Sequence, residues 1–277
     1  PGFTAVYLAD FKASVSIENS VRSSESQNVI AVIPGAERPQ ETIIYTGHWD
    51  HLGVNVELEG DNIYNGAVDN ATGTAALLAM AHLHSQQTPP ERSIVFLAVT
   101  AEESGLLGSL WYSEHPIYPL ATTVANINID AMNVNGIMRD VVVVGYDSNE
   151  LQNYLQAAAT KQDRYLRAEP NPERGYYYRS DHFNFAKAGV PALYAESGED
   201  SVEFGMEWGA ERAQDYTDNR YHAPSDEYDP NWDLSGAATD ILMFFDVVTT
   251  LSGESTFPNW FEGNEFKAIR DASRAGL

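Results

Sequence analysis

SIVFLAVT (93–100) is an unbroken apolar run of strand length, and Ala101-Glu102-Glu103 follows it at once. A strand that is apolar at every position has no solvent face, so both of its sides must be covered. Working outward, TIIYTG (42–47), TVANINID (123–130), VVVVG (141–145) and VPALYA (190–195) read as further strands. NVIAVIPG (28–35) reads as a strand beside 42–47, separated from it by a turn rich in Pro and Gly. Helical patterns fall between the strands: NATGTAALLAMAHLHSQQ (70–87), stopped by Pro89-Pro90, then 104–114, 149–163, 180–189 and 234–251. Strand–helix alternation of this kind predicts a three-layer αβα sandwich with a mixed, largely parallel central sheet. Residues 1–27 read as a peripheral strand, carried by the alternation KASVSI (12–17), and an approach segment; they are a candidate scar of an accessory domain. Residues 28–277 read as one domain. The stretch 196–231 reads as a long irregular connection, of the size that often carries function.

Sixteen basic residues stand against forty acidic ones, for a formal charge of −24. A surface this acidic excludes nucleic acid and anionic membranes as partners, because phosphate binding needs a basic face. No run of about 18 apolar residues occurs, so no membrane insertion is expected. The start PGFTAVYLADF lacks both Met and the basic flank and apolar stretch of a signal peptide, as a mature or trimmed fragment would. There is no cysteine, hence no disulfide or thiol chemistry. That composition is compatible with export.

In open α/β sheets, ligands bind beyond the carboxyl ends of the strands. There the chain places His48 and Asp50 after 42–47, Glu102 and Glu103 after 93–100, and Asp130 at the end of 123–130. Asp69, in NGAVDNATG (65–73), sits just before a helix. Singly, each has a bland reading as a cap, turn residue or solvated acid. Arriving together at one rim, carboxylates mixed with histidine suit Zn²⁺ or a similar divalent ion, and the surplus of carboxylate favours two ions sharing a bridge.

The ordered set GHWD (47–50), NGAVDNATG (65–73), TAEESGLLGS (100–109), NINIDAMN (126–133), RSDHFNFAKAGVPALY (179–194) and YHAPSDEYD (221–229) resembles the M28 family of zinc peptidases, over residues 28–250. The resemblance implies a zinc-dependent exopeptidase fold and a metal-dependent aminopeptidase acting on peptides with a free N-terminus. It implies two Zn²⁺ per chain, other divalent ions being possible: His48 and Asp130 on one, Glu103 and His222 on the other, Asp69 bridging. Glu102 matches the family's general base, Asp50 the carboxylate that orients the liganding histidine, and Tyr221 a tyrosine that helps polarise the carbonyl oxygen. Family habit also makes an exported bacterial protein, periplasmic or secreted, the expected setting.

Adjacent Glu102 and Glu103 would point to opposite faces of a strand, so the backbone there must leave extended geometry for both to reach one site. Glu196, in YAESGED, is a candidate for holding the substrate ammonium, though as an exposed loop acid it could equally be inert. Tyr176, Tyr177, Tyr178, Phe204, Met206 and Trp208 are candidates for a side-chain pocket. Arg174 and Arg179 could meet a substrate carboxylate or form surface ion pairs. Ser180-Asp181-His182 is too compressed for a catalytic triad and reads as the start of a helix. His51, His82, His84 and His115 read as surface or packing histidines. Alternatives on the same scaffold are carboxypeptidase or dipeptidase action and single-zinc cyclisation of N-terminal glutamine. A catalytically inactive interaction domain is the alternative from another class.

Overall fold

The computed structural model describes residues 4–5, 11–21 and 23–277. Its strands are β1 (Val29–Ile33), β2 (Arg38–His48), β3 (Gly53–Val54), β4 (Ile63–Tyr64), β5 (Arg92–Val99), β6 (Thr123–Asn128), β7 (Asp140–Val144), β8 (Tyr165–Ala168) and β9 (Ala192–Ser197). Its helices are α1 (Gly73–Ser85), α2 (Leu107–Glu114), α3 (Leu151–Lys161), α4 (His182–Lys187), α5 (Gly205–Asn219), α6 (Ser235–Gly253) and α7 (Lys267–Arg274). Seven strands form one sheet in the order β1-β5-β2-β6-β9-β7-β8, and β3 and β4 pair separately. β5, β2, β6 and β9 run parallel, β1 joins antiparallel at one edge, and β7 with β8 runs against β9 at the other. The sheet is mixed and largely parallel, as the alternation predicts.

Side chains of successive residues leave a strand on opposite faces, and the core divides accordingly. Ile43, Tyr45, Ile94 and Phe96 pack with Leu77, Met80, Leu155, Phe244 and Val247 in the layer of α1, α3 and α6. Ile44, Val95, Leu97 and Val99 pack with Tyr112 and Phe185 in the layer of α2 and α4. Both faces of the 93–99 run are thus covered.

Three expectations are corrected. β1 and β2 are not neighbours, because β5 lies between them. From Thr42 to His48, β2 is buried on both faces and takes a central place, whereas no residue of β1 is fully buried, which suits an edge. No strand forms over 12–17, where Val15 and Ile17 are exposed. The stretch 196–231 is not irregular throughout, since it carries the end of β9 and all of α5. That helix buries only Gly209 and so lacks the apolar stripe by which a sequence advertises a helix. β8, α7 and the short β3–β4 pair also went unread, being short or polar. Among the described residues no helix is long and apolar enough to cross a membrane.

The end of the sheet opposite the strand carboxyl termini is tied by a buried cation. Arg92 is fully buried and donates to Glu41 Oε2 at 2.6 Å, to the Leu251 carbonyl at 2.7 Å and to the Thr256 carbonyl at 2.9 Å. It thereby joins the start of β5 to β2 and to the end of α6. Removing one member of such a set strands the others without partners. Arg92→Met is expected to lower the unfolding free energy by about 3 kcal/mol, read as a lower urea midpoint at unchanged slope. An unchanged midpoint would show that the guanidinium adds no net stability.

Candidate metal centre

Because β2, β5 and β6 are parallel, their carboxyl ends share one rim, and the residues beyond them meet. His48 Nε2 lies 3.1 Å from Asp69 Oδ1 and 3.2 Å from Asp130 Oδ1. His222 Nε2 lies 3.3 Å from Asp69 Oδ2 and 3.2 Å from Glu103 Oε2. The five residues expected as ligands are therefore gathered into two lobes, and Asp69 offers one oxygen to each.

The backbone is bent to achieve this. Asp69 sits in a wide turn, Ala67–Thr72, that precedes α1, and its peptide bond to Asn70 is cis. The buried carboxylate of Asp226 accepts the backbone N–H of Val68 at 3.0 Å and of Asp69 at 3.1 Å, fixing the turn from 157 residues away. Asn70 is buried and ties together three ligand-bearing segments: its amide donates to the carbonyls of His48 and Ile129, and its oxygen accepts the N–H of Gly73 and Ala131. A side chain at Gly73 would overlap that amide, since its Cβ would fall on Asn70 Oδ1. Ala101, Ala131 and His222 adopt left-handed φ of 55°, 62° and 56°, conformations that cost non-glycine residues energy and concentrate at functional sites. At Ala101 the chain leaves β5, as the Glu102–Glu103 pair requires.

Asp50 does not hold His48 in the expected way. The Nδ1 of His48 bonds the main-chain carbonyl of Asp50 at 3.0 Å, while the carboxylate is 3.9 Å away. That carboxylate instead accepts the backbone N–H of Glu102 at 3.1 Å and of Glu103 at 3.4 Å, pinning the turn that presents both acids. His51 is no surface histidine. Its Nδ1 comes within 2.7 Å of Glu103 Oε1 without hydrogen-bond alignment, and both of its ring nitrogens are buried and unpartnered. With Asp69 and Glu103 it forms a second group of converging donors. His84, by contrast, is the packing histidine expected, buried against Tyr45 and Phe245.

Burial and crowding of like charge govern the electrostatics. Burial pushes the Glu102 carboxyl up to about 10, with Asp130 adding to the shift and His48 opposing it. Burial likewise raises Asp181 to about 7, and neither of its oxygens has a hydrogen-bond partner. Burial alone would lower His48, but its bonds to Asp130 and Asp69 prevail and hold the ring up to about 12. Asp69 is displaced well below the usual carboxylate range: burial opposes this, and the bonds to His222 and His48 outweigh it. Asp130 is anchored by Ser180, whose hydroxyl donates to Oδ2 at 2.5 Å and accepts from the Asn128 amide at 2.7 Å. Ser180-Asp181-His182 thus forms no triad; it leads into α4 and braces the centre.

The centre opens into a cavity of about 830 Å³ that includes Tyr221, Glu102 and Glu196. Tyr221 stacks on the His222 ring at 3.9 Å between centroids, and its hydroxyl accepts an N–H of Arg179 at 3.3 Å. Glu196 is not a loop acid; it lies in β9, partly buried, and burial raises it to about 7. Of the aromatic residues expected to line a pocket, Tyr176 and Tyr178 do so, while Tyr177, Phe204, Met206 and Trp208 do not. The wall is supplied instead by Leu106, Leu110 and Phe183, and by Ala210, Ala213 and Thr217 of α5. The last three follow helical spacing along one face of α5, but small and polar residues there give the sequence no apolar stripe.

Two imidazoles and three carboxylates with donor atoms 3.1–3.3 Å apart form a borderline-to-hard ligand set for a divalent cation. Histidine protons lie among carboxylate oxygens in the place that metal charge would take, and buried Glu103 Oε1 has no hydrogen-bond partner. The residues present fit zinc.

The chain is similar to the aminopeptidase NAALADL1 of Mus musculus, at 35% identity over 138 residues, 47% of this chain and 17% of that one. It is similar to a glutamate carboxypeptidase 2 homolog of Caenorhabditis elegans, at 28% identity over 196 residues, 68% of this chain and 23% of that one. In structure it resembles a zinc aminopeptidase of Bacillus subtilis, with a TM-score of 0.60 at 23% identity over 86% of this chain and 53% of that one. The chain spans less than a quarter of the length of these two relatives. The model of peptidase family M28 matches residues 28–245, which include every expected ligand, and the chain belongs to that family.

Proposed function

We propose that residues 28–277 form the catalytic domain of a zinc-dependent aminopeptidase, which binds two ions and releases N-terminal residues from peptides. The observation that carries this reading is the division of Asp69, one oxygen toward His48 and Asp130 and the other toward His222 and Glu103. One carboxylate between two donor sets suits a pair of ions better than one. When bound, the ions supply Lewis acidity to a water and to the peptide carbonyl.

The rest follows from the chain's own groups. In the metal-free chain burial and the neighbouring carboxylates keep Glu102 protonated; ionised once bound cations offset those carboxylates, it would take the proton of the attacking water and deliver it to the departing amine nitrogen. Glu103 would help to hold an ion, while the Asp50 carboxylate fixes the backbone of both acids. Tyr221 is kept protonated by burial and by the Asp69 carboxylate, so its hydroxyl can donate to the developing oxyanion. Glu196, at the end of β9, is placed to receive the substrate ammonium, whose charge would favour the ionised carboxyl. The similarity to a protein named as a carboxypeptidase homolog keeps carboxypeptidase action as the second reading.

Three outcomes are expected. Peptides with a free amino terminus should be cut from that end, and N-acetylated counterparts should resist, as followed by mass spectrometry; cleavage of blocked peptides from the other end would favour the carboxypeptidase reading. Glu102→Gln should retain about two zinc ions per chain while kcat falls about a thousandfold; metal-replete protein of normal activity would remove Glu102 from its role, and a content near one ion would favour a single-zinc enzyme. The raised His48 ring stabilises the metal-free fold fully below its ordinary 6.5, and that stabilisation is lost as pH rises toward about 12. Zinc must therefore displace its proton at pH 7. Calorimetric loading of the metal-free chain in buffers of different ionisation enthalpy should report at least one proton released per chain, and no release would argue against His48 as a ligand.

A further inference from the structure

We infer that Arg179, flanked by Arg174 and Lys187, receives a carboxylate of the substrate lying beyond the scissile bond. The inference rests on the aminopeptidase reading and deepens it by naming a substrate class. The chain has only sixteen basic residues among forty acidic ones, yet these three line the same cavity as the metal centre. In so acidic a protein, cations are readily taken up by neighbouring carboxylates. Among the described residues, however, none of the three has a carboxylate oxygen within ion-pair distance. Arg167 also lines the cavity, and it shows the contrast: its guanidinium is occupied by Asp140 at 2.5 Å and Glu199 at 2.8 Å.

The free cations are also held in place. The Arg179 guanidinium lies 5.4 Å from the Tyr176 ring centroid and donates to the Tyr221 hydroxyl, which adjoins His222. Lys187 Nζ lies 5.1 Å from the Phe183 ring centroid. All three residues are exposed, at the cavity mouth, where a substrate can reach them. Stacking on aromatic rings positions a cation without neutralising it, leaving its N–H groups for an anionic ligand. The cavity is therefore bipolar, with carboxylates around the metal centre and Glu196, and cations along the segment that carries Arg174 and Arg179 and along α4. Such a cavity matches a peptide whose ammonium enters at the acidic end and whose carboxylate meets the basic wall. That carboxylate is either the terminal one of a dipeptide or the side chain of an acidic second residue.

Four substrates separate these cases: Leu-Ala against Leu-Ala-amide, and Leu-Asp-amide against Leu-Asn-amide, each measured as kcat/KM. At least one acid-to-amide ratio should be about tenfold or more in the wild type, and the pair that shows it identifies the source of the carboxylate. Arg179→Gln and Arg174→Gln should bring that ratio toward one, mainly through KM, and Arg179→Lys should restore part of it. Each ratio is internal to one protein, so a general loss of fold or turnover does not move it. Cleavage of all four with ratios near one, or ratios unchanged in both glutamine variants, would overturn the carboxylate contact and leave the aminopeptidase reading standing. Failure to cleave any of the four would overturn that reading, and this inference with it.

Discussion

Negative charge that cannot be diluted by water dominates this molecule. Asp69, Glu102, Asp130 and Asp181 crowd one end of the sheet, three of them buried and Asp130 partly so. Like charges at such range and in such surroundings do not coexist unless something positive or protic stands among them. In the metal-free chain protonated His48 meets part of that need, the bond from His222 to Asp69 adds to it, and a raised Glu102 meets another part by holding its own proton. Divalent charge would meet it more completely. The carboxylates and histidines form an electrostatic design that such charge would complete.

That design depends on rigid scaffolding. Three parallel strands fix where the ligands emerge, Asn70 locks those exits to one another, and a buried polar file runs from the middle of the sheet to the centre. In that file the Asn126 amide donates to Thr46 Oγ1, Thr46 donates to the Asn128 oxygen, the Asn128 amide donates to Ser180, and Ser180 donates to Asp130. Each of the four donors named finds an acceptor, which lowers the cost of burying these polar side chains, and the Asn126 oxygen alone among them is left without a partner. Asparagines in the middle of an apolar strand are explained by this chain of bonds, which ends on a carboxylate at the metal centre.

Much of this was legible in the sequence, and the reasons for the remainder are physical. The 93–100 run announces its own burial, and acids following strand after strand announce a rim, so fold and ligand set could be read. Strand order could not: nothing local tells that β5 separates β1 from β2, since that depends on which strand best tolerates an edge. α5 was missed because it faces a cavity rather than the core, and so carries no apolar stripe. The work of Asp226, Asn70 and His51 is tertiary. Asp226 lies four positions after His222 in a segment already singled out, but only folding shows its carboxylate beneath the Asp69 turn. Asp50 illustrates a subtler limit: the residue was identified, whereas the division of labour between its carbonyl and its carboxylate belongs to three dimensions.

The bond from Asp226 to the Asp69 turn has a consequence for how the protein matures. One lobe of the centre uses residues from the first half of the chain, but the other needs His222, and the shared carboxylate is steadied by Asp226 from the same late segment. Loop-closure entropy makes contacts of such separation slow to form relative to local ones. The centre therefore assembles only when the two distant segments have docked. On the proposed function, hydrolytic competence would then report that folding is finished, and a nascent or partly folded chain would carry no assembled centre with which to cut its own loose peptide ends.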